Sequence, residues 1–196
     1  MADTLQARSP LHNWTPAFAS LGGAVSIVEE PFVAMVDIWT DNPGDARISS
    51  LLGVTALPTM PNTAVSGDTT TVIWLGPGEW LATSSQRSGL ELERQLIEAL
   101  TIDASEGAFN GAVADVSAQR TTVRLSGPRA RDVLAKGCSL DLHPSAFAPG
   151  QAAQTMLAQA AIILLPLDVD DYRILVRSTF ADYLAEWLLD AAAEYS

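Results

Sequence analysis

Thr121 to Pro144 reads T-T-V-R-L-S-G-P-R-A-R-D-V-L-A-K-G-C-S-L-D-L-H-P, and a strand, a turn, a helix and a helix stop can be told apart within it. Val123 and Leu125 alternate with Thr122 and Arg124, the period-two pattern of a strand with one face buried and the other polar. Ser126-Gly127-Pro128 turns the chain. Pro128 suits a first helical position because its φ is already helical and its missing N–H would have no partner there. Ala130, Val133 and Leu134 fall at i, i+3 and i+4, so the short helix carries one apolar stripe, with Arg129, Arg131, Asp132 and Lys136 on its other faces. Gly137 is the predicted stop, in the left-handed conformation that glycine adopts without a Cβ penalty.

The same plan is legible upstream. Phe32 to Trp39, F-V-A-M-V-D-I-W, is nearly all apolar and reads as a central strand. A helix should follow, capped by Asp41 or Asn42, opened at Pro43, striped by Ile48, Leu51 and Leu52, and stopped by Gly53. Thr71–Leu75 and Glu79–Thr83 flank Gly76-Pro77-Gly78 as a hairpin. Ser88 and Glu91 have capping-box spacing ahead of a helix striped by Leu92, Leu96, Ala99 and Leu100. Downstream of the opening stretch, Ala152–Met156 and Ala161–Leu165 read as extended. A turn at Asp168-Val169-Asp170-Asp171 leads to a strand over Tyr172–Arg177, and Ser178 or Thr179 should cap a last helix striped by Phe180, Leu184, Trp187, Leu188 and Ala191.

Laid side by side, these segments are two copies of one β-α-β-β-α unit. Asn42-Pro43 matches Gly127-Pro128, Gly53 matches Gly137, Pro61-Asn62-Thr63-Ala64 matches Pro149-Gly150-Gln151-Ala152, and Trp80 matches Tyr172, in the same order and separated only by loop insertions. The predicted fold class is α+β: two similar halves, residues 20–106 and 107–196, with largely antiparallel sheets and helices on one side. Residues 1–19 are polar and proline-punctuated and read as an extended N-terminal arm. Arg8, Pro10, Leu11, Trp14 and Phe18 are its candidate partner-interface residues, because large apolar side chains in such a segment need something to cover them, either another chain or the arm's own domain.

Composition narrows the function. The 196 residues are 48% apolar and 17% charged, with 23 acids against 11 bases for a net charge of −12. That field repels phosphate backbones and anionic membrane surfaces, so neither nucleic acid nor a membrane is an expected partner. No apolar run is long enough to cross a bilayer and the N-terminus lacks a signal-peptide pattern, which points to the cytoplasm. One cysteine, Cys138, and two histidines, His12 and His143, have no metal-site spacing. The aspartates at 168, 170 and 171 lack the glycine and distal glutamate of a calcium loop. Neither histidine lies in a nucleophile motif, and Gly76-Pro77-Gly78 lacks the lysine of a phosphate loop, so no catalytic, metal or cofactor residue is assigned. Arg120, Arg124, Arg129 and Arg131 form the one concentrated basic stretch, fit either for internal ion pairs or for the carboxylates of a neighbouring chain.

Arg8-Ser9-Pro10-Leu11, the L-G-P-G-E-W-L of Leu75–Leu81, the segment from Asp115 to Pro144, Phe147–Gln151 and D-Y-R-I-L-V-R-S-T-F-A-D-Y-L at Asp171–Leu184 resemble the gamma-subunit family of bacterial heterotetrameric sarcosine oxidases. The resemblance implies a complex with alpha, beta and delta chains. Such a complex demethylates sarcosine oxidatively to glycine, forms hydrogen peroxide and passes the one-carbon unit to tetrahydrofolate or releases formaldehyde. It implies that FAD, FMN, NAD, zinc and tetrahydrofolate belong to the partner chains. The family is similar in fold to the folate-binding domains of aminomethyltransferases, which would make a free-standing folate-binding protein the alternative. The acidic segment of those enzymes, with its catalytic aspartate, should fall near Gln159–Leu165, where this chain reads Q-A-A-I-I-L-L.

Overall fold

The computed structural model describes residues 7–101 and 111–196. Its strands are β1 (Ser26–Glu30), β2 (Ala34–Thr40), β3 (Ala64–Ser66), β4 (Thr70–Gly76), β5 (Glu79–Ser84), β6 (Gly111–Asp115), β7 (Arg120–Ser126), β8 (Ala153–Leu157), β9 (Ala160–Asp168) and β10 (Asp171–Arg177). The helices are α1 (Thr15–Ala19), α2 (Ala46–Leu52), α3 (Gly89–Thr101), α4 (Ala130–Ala135) and α5 (Ala181–Ala192). Two five-stranded sheets result, sheet I in the order β1-β7-β10-β9-β8 and sheet II in the order β3-β4-β5-β2-β6. Every neighbouring pair is antiparallel.

Burial follows the periodicity. Val123 and Leu125 of β7 pack with Val133, Leu134, Leu184 and Leu188 on the outer face of sheet I, while Val36, Ile38 and Val72 pack with Ile48, Leu92 and Leu96 outside sheet II. A third core lies between the sheets and contains Met35, Ile73 and Leu81 from one and Ile163, Leu165 and Leu175 from the other. The order of layers is therefore helix, sheet, sheet, helix. It also accounts for the unbroken apolar run of β9: Ile162 and Leu164 face outward to the helices, Ile163 and Leu165 inward to sheet II, so both faces are buried.

The duplication is visible as a reciprocal exchange. β1 joins sheet I by pairing with β7, from Ser26↔Ser126 to Glu30↔Thr122, and β6 joins sheet II by pairing with β2. The matched segments around Thr63 and Gln151 meet each other: Ala64 N–H donates to Gly150 O and Ala152 N–H to Asn62 O, both at 2.9 Å. Equivalent residues of two copies pair in this way across a local two-fold axis. The predicted boundary between residues 106 and 107 lies outside the described residues, as do residues 1–6 of the arm. On either side of that boundary the helices separate, but each sheet takes its edge strand from the other half.

Several local expectations change. The cap of α2 is Asp45, not Asp41 or Asn42: its backbone is extended (φ −64°, ψ 111°), its carboxylate accepts Arg47 N–H at 2.8 Å, and Pro43 precedes the helix. Gly53 does close α2 in the left-handed conformation, at φ 67°. Gly137 is not left-handed. Positive φ falls instead at Gly127 (110°), where a Cβ would stand 2.7 Å from Ala24 O at the approach to β1. Ser178 and Thr179 lie in a 3-10 turn before α5 and do not cap it. Phe32 is excluded from β2, which starts at Ala34.

The described part of the arm is not extended. It forms a 3-10 turn at His12–Trp14 and then α1. Leu11 and Phe18 are buried in the core outside sheet I. The Glu29 carboxylate accepts Ser9 Oγ–H at 2.6 Å and Leu11 N–H at 3.1 Å, and Trp14 Nε1–H donates to Asp182 at 2.7 Å. Enough apolar surface existed on this chain's own sheet and last helix to cover the segment.

Candidate functional site

Alternation along the strands decides what enters the seam between the sheets. Arg120 and Thr122 of β7, Arg173, Leu175 and Arg177 of β10, Asp37 of β2 and Glu79 of β5 lie on inward faces, since their sequence neighbours occupy the outer cores. The middle of the seam is aliphatic and its ends are polar.

At one end, Arg173 forks onto Glu30 of the exchanged strand, with Nη2 2.8 Å from Oε1. These two line a hollow of about 370 Å³ with Thr71, Thr83, Ser84 and Gln86. Its hydroxyls are largely used internally, Thr83 donating to Thr71 O at 3.3 Å and Ser84 to Thr69 O at 2.7 Å. Deeper in, Thr122 is buried and its Oγ1 has no hydrogen-bond partner among the described residues.

The other end brings four charges together without ion-pair contact. Arg120 and Arg177 stand directly opposite each other in the β7–β10 ladder. Burial, and then the positive charge of Arg177, lower the affinity of the Arg120 guanidinium for its proton. Across the seam, burial pushes the Asp37 carboxyl above its usual range, and burial followed by the charge of Asp37 does the same to Glu79. Asp37 Oδ1 is buried with no hydrogen-bond partner among the described residues.

The basic stretch predicted from sequence is dispersed by the fold. Arg124 pairs with Asp171 (Nε–Oδ1 2.9 Å), Arg129 with Asp132 (2.9 Å) and Arg131 with Asp170 (2.9 Å), leaving Arg120 as the member without an ion pair among the described residues. Of the candidate interface residues, Arg8 and Pro10 are exposed and border a hollow of about 280 Å³ with Phe32 and Arg120. Leu11 and Phe18 are occupied by the protein's own core, and Trp14 is half-buried against α5, so these three are not free anchors. Sequence reasoning missed Phe32, Met156 and Arg177. Phe32 sits in an apolar run that reads as strand, yet it is 66% exposed in a turn at φ 57°.

Among the described residues no cluster of three or more histidine, cysteine or acidic side chains could hold a metal. None of the helices there is long and apolar enough to cross a membrane. Gln159–Leu165 holds no carboxylate, and Ile162, Ile163, Leu164 and Leu165 are all buried.

The sequence and fold have clear relatives. The model of the sarcosine oxidase gamma subunit family matches residues 40–194. Sarcosine oxidase subunit gamma of an Arthrobacter species is 35% identical over 193 residues, covering 96% of this chain and 91% of that protein. A chain of the heterotetrameric sarcosine oxidase from Corynebacterium sp. U-96, solved in complex with pyrrole 2-carboxylate, superposes with a TM-score of 0.85 and 32% identity, over 97% of this chain and 96% of that one. The glycine cleavage system aminomethyltransferase T of Bartonella henselae shares the fold alone, with a TM-score of 0.54 at 15% identity, over 90% of this chain and 48% of that enzyme. The chain thus belongs to the sarcosine oxidase gamma subunit family.

Proposed function

We propose that this gamma subunit is a non-catalytic, assembly-supporting chain of an oxidase that demethylates sarcosine to glycine, transfers the one-carbon unit to tetrahydrofolate or releases formaldehyde, and forms hydrogen peroxide. Its partners are alpha, beta and delta chains, and FAD, FMN, NAD, zinc and tetrahydrofolate reside in them. The observation carrying this reading is the end-to-end match, 97% against 96%, with a chain of a heterotetrameric sarcosine oxidase. The aliphatic filling of β9 supports the non-catalytic part. Where the aminomethyltransferase resemblance calls for a carboxylate, Ile162–Leu165 fill the cores on both faces of the strand.

Co-expression with the other chains of its complex tests the reading. The chain should copurify with large subunits that carry the flavin absorption, and alone it should be colourless and inert toward aminomethyl donors with tetrahydrofolate. A flavin spectrum or aminomethyl transfer by the isolated chain would overturn it.

A further inference from the structure

The guanidinium groups of Arg120 and Arg177 make no hydrogen bond or ion pair to any described residue, whereas the neighbouring Arg124, Arg129, Arg131 and Arg173 each close on an acid. Like charges placed directly opposite on adjacent strands repel, so the pair is unfavourable in the free chain unless an anion is supplied. Asp37 and Glu79 face Arg120 from sheet II and attract it across the seam, but neither makes an ion-pair contact with it, and burial holds both carboxyls above their usual range despite that attraction. With acids in such excess over the whole chain, two unpaired guanidinium groups side by side are a local reversal of the field.

The surroundings have the composition of an interface. On one side the pair borders a groove of about 360 Å³ with Gln154, Thr155 and Met156, and Met156 is 46% exposed. On the other, Arg120 also lines the 280 Å³ hollow that contains Arg8, Pro10 and the exposed Phe32. Phe32 holds its ring outward from a φ of 57°, a backbone conformation that aromatic residues seldom adopt and that persists where a site demands it. The sequence of features along this strip is aromatic, arginine pair, methionine, the residue types enriched where proteins meet.

We infer that this strip docks an acidic segment of another subunit of the oxidase, whose carboxylate is gripped by Arg120 and Arg177 while apolar neighbours cover Phe32 and Met156. The inference rests on the gamma-subunit reading. A carboxylate bridging two guanidinium groups makes several charge-assisted hydrogen bonds, and the acidic remainder of the surface disfavours the same segment elsewhere.

The test uses the assembled complex. In the variant carrying both Arg120→Ala and Arg177→Ala, the fraction of chain retained with its partners at raised ionic strength should fall about tenfold, with the melting temperature of the free chain unchanged or higher. Separately, Arg177→Lys keeps the charge and supplies an amine. Treating that complex with a carbodiimide should form an amide between the introduced amine and an Asp or Glu of another subunit, identified by mass spectrometry. Full retention of the double variant, or cross-links only within this chain, overturns the docking. So does binding of malonate by the free chain at this pair without any effect on assembly, which would make it a small-carboxylate site. If the unaltered chain does not copurify with the flavin-bearing subunits, the gamma-subunit reading itself fails.

Discussion

Gly137 lies beneath the indole of Trp187: a Cβ on residue 137 would stand 2.5 Å from Trp187 Cζ2 and 2.9 Å from Cη2. Its carbonyl accepts Ala158 N–H at 2.9 Å, so the backbone is pinned between α5 and the β8–β9 turn. The glycine is required by close approach and not by a left-handed φ. Gly137→Ala should therefore destabilise the protein by about 1–3 kcal/mol, the usual cost of overpacking. Adding Trp187→Ala should make room, so that the double variant loses less than the sum of the single losses in denaturant midpoints. Strict additivity would show that the indole is not the obstacle.

Leu11 is fully buried, and its replacement tests whether the N-terminal segment is part of the core. Leu11→Ala should cost about 2–5 kcal/mol, the range for truncating a leucine in a packed interior. A melting temperature within a degree or so of the parent would return the segment to the status of a tail.

Asp45 caps a short helix through the Arg47 N–H, so Asp45→Ala should cost about 0.5–2 kcal/mol. The hydrogen bond from the Arg47 side chain is the largest cause holding this carboxyl below its ordinary 3.8. With the folded pKa depressed, the charge-dependent stabilisation is complete above the unfolded value and is lost as pH falls through the folded one. Asp45→Asn should keep much of the cap and abolish that acid-limb loss in urea titrations.

Asp37 has the opposite sign. Burial raises its carboxyl above 3.8, so the folded chain binds the proton more tightly and stability declines as pH climbs from 3.8 through the raised folded value. Asp37→Asn should raise the melting temperature at neutral pH, and the gain should vanish below about pH 4. A gain that persists in acid would assign it to packing instead of charge.

The amino-acid sequence by itself determined most of the elements, because each rests on local periodicity. The stripe of Leu92, Leu96, Ala99 and Leu100, the hairpin around Gly76–Gly78 and the helix stop at Gly53 need only neighbours within a few residues, and the structure has all three. The α+β class and the duplication were legible for the same reason, and the family resemblance was carried by continuous motifs. The strands β1, β3 and β6 were not foreseen, being short and weakly patterned, with β1 and β6 given their pairing by distant residues of the other copy.

Tertiary structure alone decided which side chains remain available. Four arginines look alike in sequence; the β7–β10 register sets Arg124 beside Asp171 and Arg120 opposite Arg177, the packing of α4 brings Arg131 to Asp170, and Arg129 finds Asp132 within its own turn. Leu11, Trp14 and Phe18 look like free anchors in a polar arm, yet their burial depends on β1 crossing into sheet I and on α5, whose Asp182 lies 168 positions along the chain from Trp14. Availability is a property of surfaces assembled from residues far apart in sequence, and local pattern holds no record of which of them will meet.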